Sequence, residues 1–581
     1  MNFIHTIYKF VKEPRTFGIF LKGMGYYGLA CLLCAITLAS CSSRDDLDGP
    51  QDPDAPSTDG TIGQKNYYIA LNVKLPSTSG TRSSTENDGS SSDFEFEGST
   101  KENLLNSAEI YFLDANYRVI TSFATTSDTN DGRELTISPD NTYDYKIYVE
   151  VDINELTQLT GHTIYMVVVG NAGAPNYTSG FRHTLNSDYP NSAKLTNVSL
   201  GANGTLKDYG DDNQGQIMPL VSAKTLKLDA LGNINRDGSL SGDDLIRAIT
   251  AVFTGSLVKD GQNHYSYPVG TVNLERCVAR IDYRDRTAEE RESGIEEWTY
   301  RIGKNDNVSD FYIRLNQLQA FNINSGSYLF RHAIAGTTDG AINNNEGIIL
   351  FGDENGTGSG YNWIMGHDWT LSSGNWGKNP SLLNPKADLA TSTDASILIS
   401  TLKERTPKGT SSAPEDLYFP WRYVTENTLP TKSMMESYED LDQNATGVAF
   451  TFILQDNTGK NDLEYSDTKE NYPLGCTNVN VNSTDKSDHS ICLTMPNGQW
   501  INVSPNDDGK YELTYYGYLV HNNPNATTLD PMEYGVVRNN AYQIMVNSVG
   551  NLPNPEDPKT MYLEITSNIK PWQQRGNDYG F

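Results

Sequence analysis

The stretch from Asn233 to Asp244 (NINRDGSLSGDD) has the residue types and the spacing of a calcium-binding loop. Oxygen-bearing side chains recur as in loops of the EF-hand type, and Gly238 stands where such a loop needs glycine for its sharp turn. Asn at the first position and Asp in place of Glu at the last reduce the charge and reach of the set. A metal-free Asn/Asp/Gly turn and a structural calcium site are both open from this pattern. The ligands would be Asn233, Asn235, Asp237, Ser239, Ser241 and Asp244.

Cys41 has the context for a second kind of chemistry, the attachment of lipid to a thiol. Residues 1–40 have a cationic start and an apolar stretch at 23–38, which is shorter than a membrane span of about 20 residues. They are predicted to be a lipoprotein signal peptide. The run Leu38-Ala39-Ser40-Cys41 resembles a bacterial lipobox, which implies cleavage between Ser40 and Cys41 and acylation of the Cys41 sulfur, for example by palmitate. The alternative is an ordinary secretory signal.

Residues 41–65 are predicted to form a flexible tether, because they are rich in Asp, Pro, Ser and Gly and nearly free of large apolar side chains. The lipid would be the only contact with the membrane. We expect the precursor at the cell outer membrane.

Cys277, Cys476 and Cys492 are the cysteines beyond the tether. Cys476 and Cys492 bracket a polar loop, so a disulfide across a hairpin and two free thiols are both open. Cys277 lies in a strand-like run and is predicted to be a buried free thiol.

The sequence contains no signature of a catalyst or of a nucleic-acid-binding protein. The eight histidines are scattered, and no HExxH, GxSxG or GK[ST] motif occurs. The formal net charge of −29 excludes nucleic acid as a partner, since phosphates need Lys and Arg. We predict a protein that is not an enzyme and needs no cofactor apart from the calcium considered above.

The pattern of apolar residues predicts an all-β protein. Residues 67–75 alternate, with Tyr67, Ile69, Leu71, Val73 and Leu75 on one face, which is typical of a half-buried strand. A strand-like run at 274–283 follows a turn-rich stretch, which favours a domain boundary near residue 270. The predicted domains are residues 66–270 and residues 271–581, and short helices are predicted at 287–298 and 395–405.

Several motifs occur in an order that is similar to one family. They are the lipobox, the early strand before a Thr81-Arg82 loop, VVVGNAG at 167–173, LERCVAR at 274–280, VVRNNAYQIMVNSVG at 536–550 and Trp572. Nearly the whole chain resembles the type V pilins, or fimbrillins, close to the major subunits of the short-fimbria type. The resemblance implies two β-sandwich domains of transthyretin-like topology. It also implies a lipoprotein that is cut by an Arg-specific protease and polymerised by strand exchange.

The resemblance assigns roles to both ends of the chain. Cleavage between Arg82 and Ser83 would free strand 67–75, and the tail 573–581 would be the donor, with Trp572, Tyr579 and Phe581 as its large side chains. The partners would be other copies of the chain in a head-to-tail polymer, anchor and tip subunits, the protease, and receptors on host or bacterial surfaces. The output would be an extracellular fimbria that supports adhesion and biofilm formation.

Two other functions stay open from the sequence. The chain could be an anchor or tip subunit of the same fimbria, or a surface lipoprotein that binds glycans. For the latter, Trp363, Trp369 and Trp376 would be candidates for a sugar platform.

Overall fold

β-Strands dominate the regular structure of the computed structural model. The all-β prediction is confirmed. The structure describes residues 67–74, 96–97, 99, 101–113, 119–124, 135–139, 144–151, 164–171, 194–195, 215–222, 226–228, 258–259, 265–303, 309–324, 327–328, 332–334, 349–350, 363–364, 369–372, 375–378, 382–389, 392, 395–407, 418–429, 434, 437–520, 534–553 and 563–573.

The strands before Cys277 are β1 (Tyr67–Lys74), β2 (Phe96–Glu97), β3 (Ala108–Leu113), β4 (Val119–Ala124), β5 (Leu135–Pro139), β6 (Asp144–Val151), β7 (Ile164–Gly170), β8 (Lys194–Leu195), β9 (Leu220–Ser222), β10 (Leu226–Leu228), β11 (Val258–Lys259) and β12 (Tyr265–Arg276). Most of them join in one path, in the order β4-β3-β7-β9-β12-β1-β6-β5. In this path β1 is an interior strand.

Strand β12 belongs to two parts of this path. Its residues from Tyr265 to Asn273 pair in parallel with β1, and its end pairs with β9 through Leu274, Glu275 and Arg276. A strand that pairs with different neighbours along its length can turn a corner between two layers. Side chains of β12 alternate between the core and the solvent where it pairs with both strands: Val272 and Leu274 are buried, and Thr271 is exposed.

The strands after Cys277 are β13 (Val278–Tyr283), β14 (Thr299–Arg301), β15 (Tyr312–Phe321), β16 (Ile323–Asn324), β17 (Ser327–Tyr328), β18 (His332–Ile334), β19 (Ile349–Leu350), β20 (Trp363–Ile364), β21 (Trp369–Ser372), β22 (Asn375–Lys378), β23 (Leu382–Leu383), β24 (Ser396–Leu398), β25 (Phe419–Thr425), β26 (Gly447–Leu454), β27 (Cys476–Thr477), β28 (Ile491–Thr494), β29 (Trp500–Val503), β30 (Glu512–Tyr518), β31 (Asn540–Val549) and β32 (Leu563–Gln573). The α-helices in the described residues are short: α1 (Ile399–Lys403) and α2 (Tyr438–Asn444).

Two five-stranded sheets dominate this second part of the chain. One has the order β2-β32-β31-β13-β25, and the other has the order β14-β15-β26-β30 with β24 beside β15. Apolar side chains from both sheets, such as Tyr283, Tyr300 and Phe452, belong to one buried cluster. That cluster also includes Leu71 and Val73 of β1. A smaller cluster surrounds Phe321.

Local structure differs from the sequence prediction in two places. Residues 287–298, predicted to be helical, form turns. Thr287 and Glu290 exchange bonds typical of a helix start, but Gly294 adopts a φ of 87° and Trp298 a φ of 64°, which a helix excludes. In the predicted helix at 395–405, residues 396–398 are strand and α1 occupies only 399–403.

The run at 274–283, predicted as one strand, is divided between β12 and β13 at Cys277. All partners of β12 precede it in the chain, whereas β13 pairs with β25 and β31. The change of sheet therefore falls at this residue. The Cys277 side chain is buried.

None of the helices in the described part of the chain has the length and apolarity of a membrane span.

Candidate functional site

The position of β1 is the first feature of the candidate site. Each residue from Tyr67 to Lys74 has an antiparallel partner on β6 and a parallel partner on β12. Leu71 and Val73 are fully buried, and Asn72 between them is exposed. The alternation predicted from the sequence holds at these positions. Leu75 lies outside the described residues, and of Tyr67 and Ile69 only the backbone is described.

The departure of an interior strand affects both of its neighbours. Its departure would unpair backbone groups on both β6 and β12 and would uncover the apolar contacts of Leu71 and Val73. Unpaired strand edges readily accept another strand. The slot between β6 and β12, here called the β1 slot, therefore has the chemistry of an acceptor for an extended chain.

The C-terminal strand is the second feature. β32 pairs with β31 in antiparallel fashion from Leu563 to Pro571. Beyond this, Trp572 and Gln573 pair in parallel with Phe96 and Glu97 of β2. The backbone just after the predicted processing loop is therefore bonded to the end of the C-terminal strand. β32 extends to Trp572 and Gln573, and Gln573 is the first residue of the predicted donor tail.

A buried polar cluster between these features is the third. Arg280 Nη1 donates to both carboxylate oxygens of Glu102 at 2.8 Å, and its Nε donates to Asp282 Oδ1 at 2.8 Å. The Tyr423 hydroxyl donates to Glu102 Oε1 at 2.6 Å. Arg276 Nη1 donates to Asn539 Oδ1 at 3.3 Å. We call Glu102, Arg276, Arg280, Asp282, Tyr423 and Asn539 the polar junction.

Glu102 and Arg276 of the polar junction are charged at neutral pH. Burial alone would raise the pKa of Glu102. The Arg280 guanidinium, the Ser99 N–H and the Tyr423 hydroxyl outweigh burial and hold that pKa below its ordinary value. Burial lowers the pKa of Arg276 to about 10, which leaves this side chain protonated at neutral pH.

The polar junction brings together motifs that are far apart in the sequence. Arg276 and Arg280 come from LERCVAR and Asn539 from VVRNNAYQIMVNSVG. Next to them, Arg538 donates to Glu426 Oε2 at 2.8 Å, and both side chains are almost wholly buried. The backbones meet as well, since the Asn539 N–H donates to the Val278 carbonyl at 2.8 Å.

Sequence reasoning gave these junction residues no role. Glu102, Tyr423 and Asp282 were missed altogether, and the two arginines were noted only as part of a motif. A signal was nevertheless present, because an arginine on an apolar strand-like run must have a buried partner. The sequence could not say which of the many carboxylates that partner is.

Cys476 and Cys492 lie on neighbouring strands, but their thiols are free in the structure. Cys476 is opposite Leu493 and Cys492 is opposite Thr477. Directly opposite residues share a face of a sheet, so the two cysteines point to opposite faces. This register keeps the two thiols apart in the structure. Cys277 is a buried free thiol, as predicted.

The other predicted site residues lie outside the described residues. They are Ser40, Cys41, Arg82, Ser83, Tyr579, Phe581 and the calcium-loop set Asn233, Asn235, Asp237, Ser239, Ser241 and Asp244. Trp363, Trp369 and Trp376 lie in short strands, and only their backbone is described. Within the described ranges, no group of three His, Cys, Asp or Glu side chains is placed to hold a metal ion.

Comparison with known families concerns the end of the chain. Residues 510–578 match the family "Major fimbrial subunit protein type IV, Fimbrillin, C-terminal". The C-terminal segment is of the fimbrillin type. The match confirms the fimbrillin resemblance over these residues. This fimbrillin segment comprises β30, β31 and β32 and carries both Asn539 of the polar junction and Trp572.

Several solved structures are also similar to this chain. A fimbrilin from Porphyromonas gingivalis is 12% identical, with 88% of this chain and 99% of that chain covered and a TM-score of 0.31. A candidate cell adhesion protein from Parabacteroides distasonis is 13% identical, with 88% and 100% covered and a TM-score of 0.36. A fimbrial assembly protein from the same species is 10% identical, with 87% and 99% covered and a TM-score of 0.27. TM-scores below 0.5 support no conclusion about function. No curated protein matches the chain.

Proposed function

We propose that this protein is a structural subunit of an extracellular fimbria that supports adhesion and biofilm formation. The fimbrillin match at residues 510–578 supports the class of protein. One observation carries the mechanism: the first strand of the fold is an interior strand, paired along its whole length on both sides. Removal of such a strand creates an acceptor for a strand from another subunit.

The proposed life cycle begins with export. The signal peptide is removed between Ser40 and Cys41, and lipid on Cys41 holds the precursor at the cell outer membrane. In the precursor β1 fills its own slot. An Arg-specific protease then cuts between Arg82 and Ser83, and this cut separates β1 and the lipid anchor from the body of the subunit.

Polymerisation follows from the opened slot. A strand from a second copy enters between β6 and β12 and restores the backbone bonds that β1 made. Because the donor and the slot are different surfaces, the contact is head-to-tail and generates a filament. The subunit is a building block and performs no catalytic step, since a separate protease makes the cut.

The donor is proposed to come from the C-terminus. Strand β32 belongs to the fimbrillin-type segment at residues 510–578, and the match supports a donor in this segment or just after it. The parallel pairing of Trp572 and Gln573 with β2 supports a donor that begins beyond Gln573. The donor includes residues after Gln573, with Tyr579 and Phe581 as its anchoring side chains.

The decisive experiment changes Arg82. Arg82→Ala should give a folded lipoprotein that is not processed and forms no fibres, because β1 still fills its slot. Arg44→Ala is the matched control, since a cut at Arg44 would leave β1 attached. Shed wild-type fibres should begin at Ser83 on N-terminal sequencing. Normal fibres from Arg82→Ala, or fibres that begin before Tyr67, would exclude strand exchange at the β1 slot.

A second experiment tests the donor. Deletion of residues 574–581 leaves β32 whole and should yield processed monomers that do not polymerise. Added in excess to intact subunits, the truncated protein should cap growing fibres and shorten them in negative-stain micrographs. Fibres of unchanged length would place the donor elsewhere in the chain.

A further inference from the structure

Residues 101–107, here called the anchor turn, lie between β2 and β3, downstream of the proposed processing loop. Asn171 of the VVVGNAG motif holds the turn on one side. Its Oδ1 accepts the N–H of Asn106 at 2.8 Å, and its Nδ2 donates to the carbonyl of Leu104 at 2.9 Å. Asn171 is buried and has a φ of 60°, a conformation that asparagine tolerates better than most residues.

The polar junction holds the anchor turn on its other side. Glu102, which belongs to the turn, is the carboxylate that Arg280 and Tyr423 bind. Arg276 Nε donates to the carbonyl of Glu102 at 3.3 Å, and Arg276 Nη2 donates to Asn103 Oδ1. The turn is therefore bonded to residues from parts of the chain more than 150 positions away.

The anchor turn also contacts the wall of the β1 slot. Tyr145 on β6 is directly opposite Val73 of β1. Its hydroxyl accepts the N–H of Leu105 and donates to the carbonyl of Asn103, both at 3.3 Å. A side chain that borders the slot is thus fixed to the turn.

The space around Glu102 is shaped for this contact. Gly215 has a φ of +70°, and a Cβ built there would lie 2.5 Å from Ser99 Oγ and 2.8 Å from Glu102 Cγ. Any larger residue at this position would displace the carboxylate from its partners.

β1 and the anchor turn are held by different kinds of interaction, which differ in whether another chain can replace them. β1 is held by backbone pairing and by apolar side chains such as Leu71 and Val73, which any suitable strand can supply. The anchor turn is held by a buried charge. If Glu102 left, Arg280 would stay fully buried with Asp282 as its remaining carboxylate partner, and the loss of a buried charge partner is strongly unfavourable.

We propose that the anchor turn stays bound to the subunit when the chain is cut after Arg82. Glu102 is the residue that holds it there. When the chain is cut after Arg82, β1 is free to leave, but everything from residue 101 onward stays on the subunit. The turn also keeps the slot wall in place through Tyr145 and keeps β2 beside the end of β32. This inference rests on the proposed strand exchange and adds the residue that limits how far the chain is released.

The test uses the full-length chain before and after the cut, with hydrogen exchange followed on residues 67–74 and 101–107. After the cut, wild-type amides at 67–74 should exchange at least about tenfold faster, and those at 101–107 should keep their protection. In Glu102→Gln the uncut variant should be less stable than wild type, and the cut should lower the protection of both segments, with a further loss at 101–107 that wild type does not show. A merely structural role would lower the protection at 101–107 equally before and after the cut.

Two variants complete the design. Glu290→Gln removes a carboxylate from another arginine pair, with Arg284 at 2.7 Å, and should behave as wild type. If Glu102→Gln does not fold, Tyr423→Phe removes one donor to the same carboxylate and should give a smaller, cut-dependent loss of protection at 101–107.

The outcomes separate the inference from the function on which it rests. If residues 101–107 of cut wild type lose protection together with 67–74, or if Glu102→Gln and Tyr423→Phe match wild type after the cut, the anchor is refuted. The other outcome is that residues 101–107 stay protected in cut wild type and lose protection in the variants, but the cut protein never polymerises. The inference about Glu102 is then supported, and the proposed strand exchange is refuted.

Discussion

Arg280 Nη1 lies 2.8 Å from each carboxylate oxygen of Glu102, although 178 residues separate the two in the chain. Both side chains are fully buried. The pair joins the segment that follows the proposed processing loop to the strand that follows Cys277. In the proposed assembly it holds the segment that stays on the subunit after the cut.

Removal of one partner of this pair should be costly. Arg280→Met leaves the Glu102 carboxylate buried without its guanidinium, and we expect a loss of about 3–5 kcal/mol in the free energy of unfolding. Arg301→Met is the matched control, because Asp310 is exposed and Arg301 partly exposed, and such a pair should contribute less than about 1 kcal/mol. Urea denaturation of both variants measures the difference, and equal losses would contradict the assigned importance of Glu102.

The β1 strand offers a test of its own. Leu71→Ala removes a fully buried side chain and should lower the stability of the uncut protein by about 2–5 kcal/mol. Asn72→Ala, at the exposed position beside it, should change stability by no more than about 0.5 kcal/mol. If the two variants unfold at the same urea concentration, β1 does not occupy the interior position described here.

Glycine is required at position 215 for two separable reasons. Gly215→Ala should suffer both from the positive φ and from the close approach of its Cβ to Ser99 and Glu102. Gly294→Ala isolates the first effect, since Gly294 has a φ of +87° and nothing within 4 Å of the added Cβ. We expect about 1 kcal/mol for Gly294→Ala and clearly more for Gly215→Ala in thermal unfolding. Equal losses would mean that the pocket of Glu102 tolerates a methyl group.

Asp462 should make stability depend on pH in the acid range. Burial raises its pKa, but bonds from Arg314, Lys510 and Gln455 outweigh this and lower that pKa from 3.8 to about 2. A depressed folded pKa stabilises the protein above the unfolded value, and this contribution disappears as pH falls through the folded value. The stability difference between wild type and Asp462→Asn should thus be full above about pH 4 and shrink toward about pH 2. A difference that stays constant in urea titrations over this range would refute the linkage.

The thiols should react in a set order. Burial and the nearby Cys492 thiol raise the pKa of Cys476 to about 12, so little thiolate is present at pH 8. In native protein treated with iodoacetamide at pH 8, Cys492 should label first, Cys476 about tenfold or more slowly, and buried Cys277 only after unfolding. Peptide mass spectrometry resolves the three sites. Recovery of Cys476 and Cys492 as one linked peptide would instead support the disulfide.

The sequence predicted what depends on neighbouring residues. Alternation of apolar and polar side chains predicted the strand at 67–75, and β1 occupies Tyr67–Lys74. It also predicted the buried face of β1 at Leu71 and Val73. This alternation is visible in the sequence because every second side chain of a strand faces the core when one side of the strand is buried.

Local patterns failed where distant contacts override them. Residues 287–298 begin like a helix, yet they form turns in which Glu290 is bound by Arg284. The run at 274–283 looks like one strand, but its two ends belong to different sheets and the chain changes partners at Cys277. Neither outcome can be read from a window of neighbouring residues.

The candidate site shows the same division. The sequence alone determined an all-β chain with an early strand, a following arginine loop and the motifs of a fimbrillin. Only the tertiary structure placed β1 between β6 and β12 and joined Glu102 to Arg280. Periodicity and turn chemistry act over a few residues and leave a trace in sequence. The partner of a buried charge depends on how whole sheets pack, and the sequence does not distinguish among the many carboxylates of the chain.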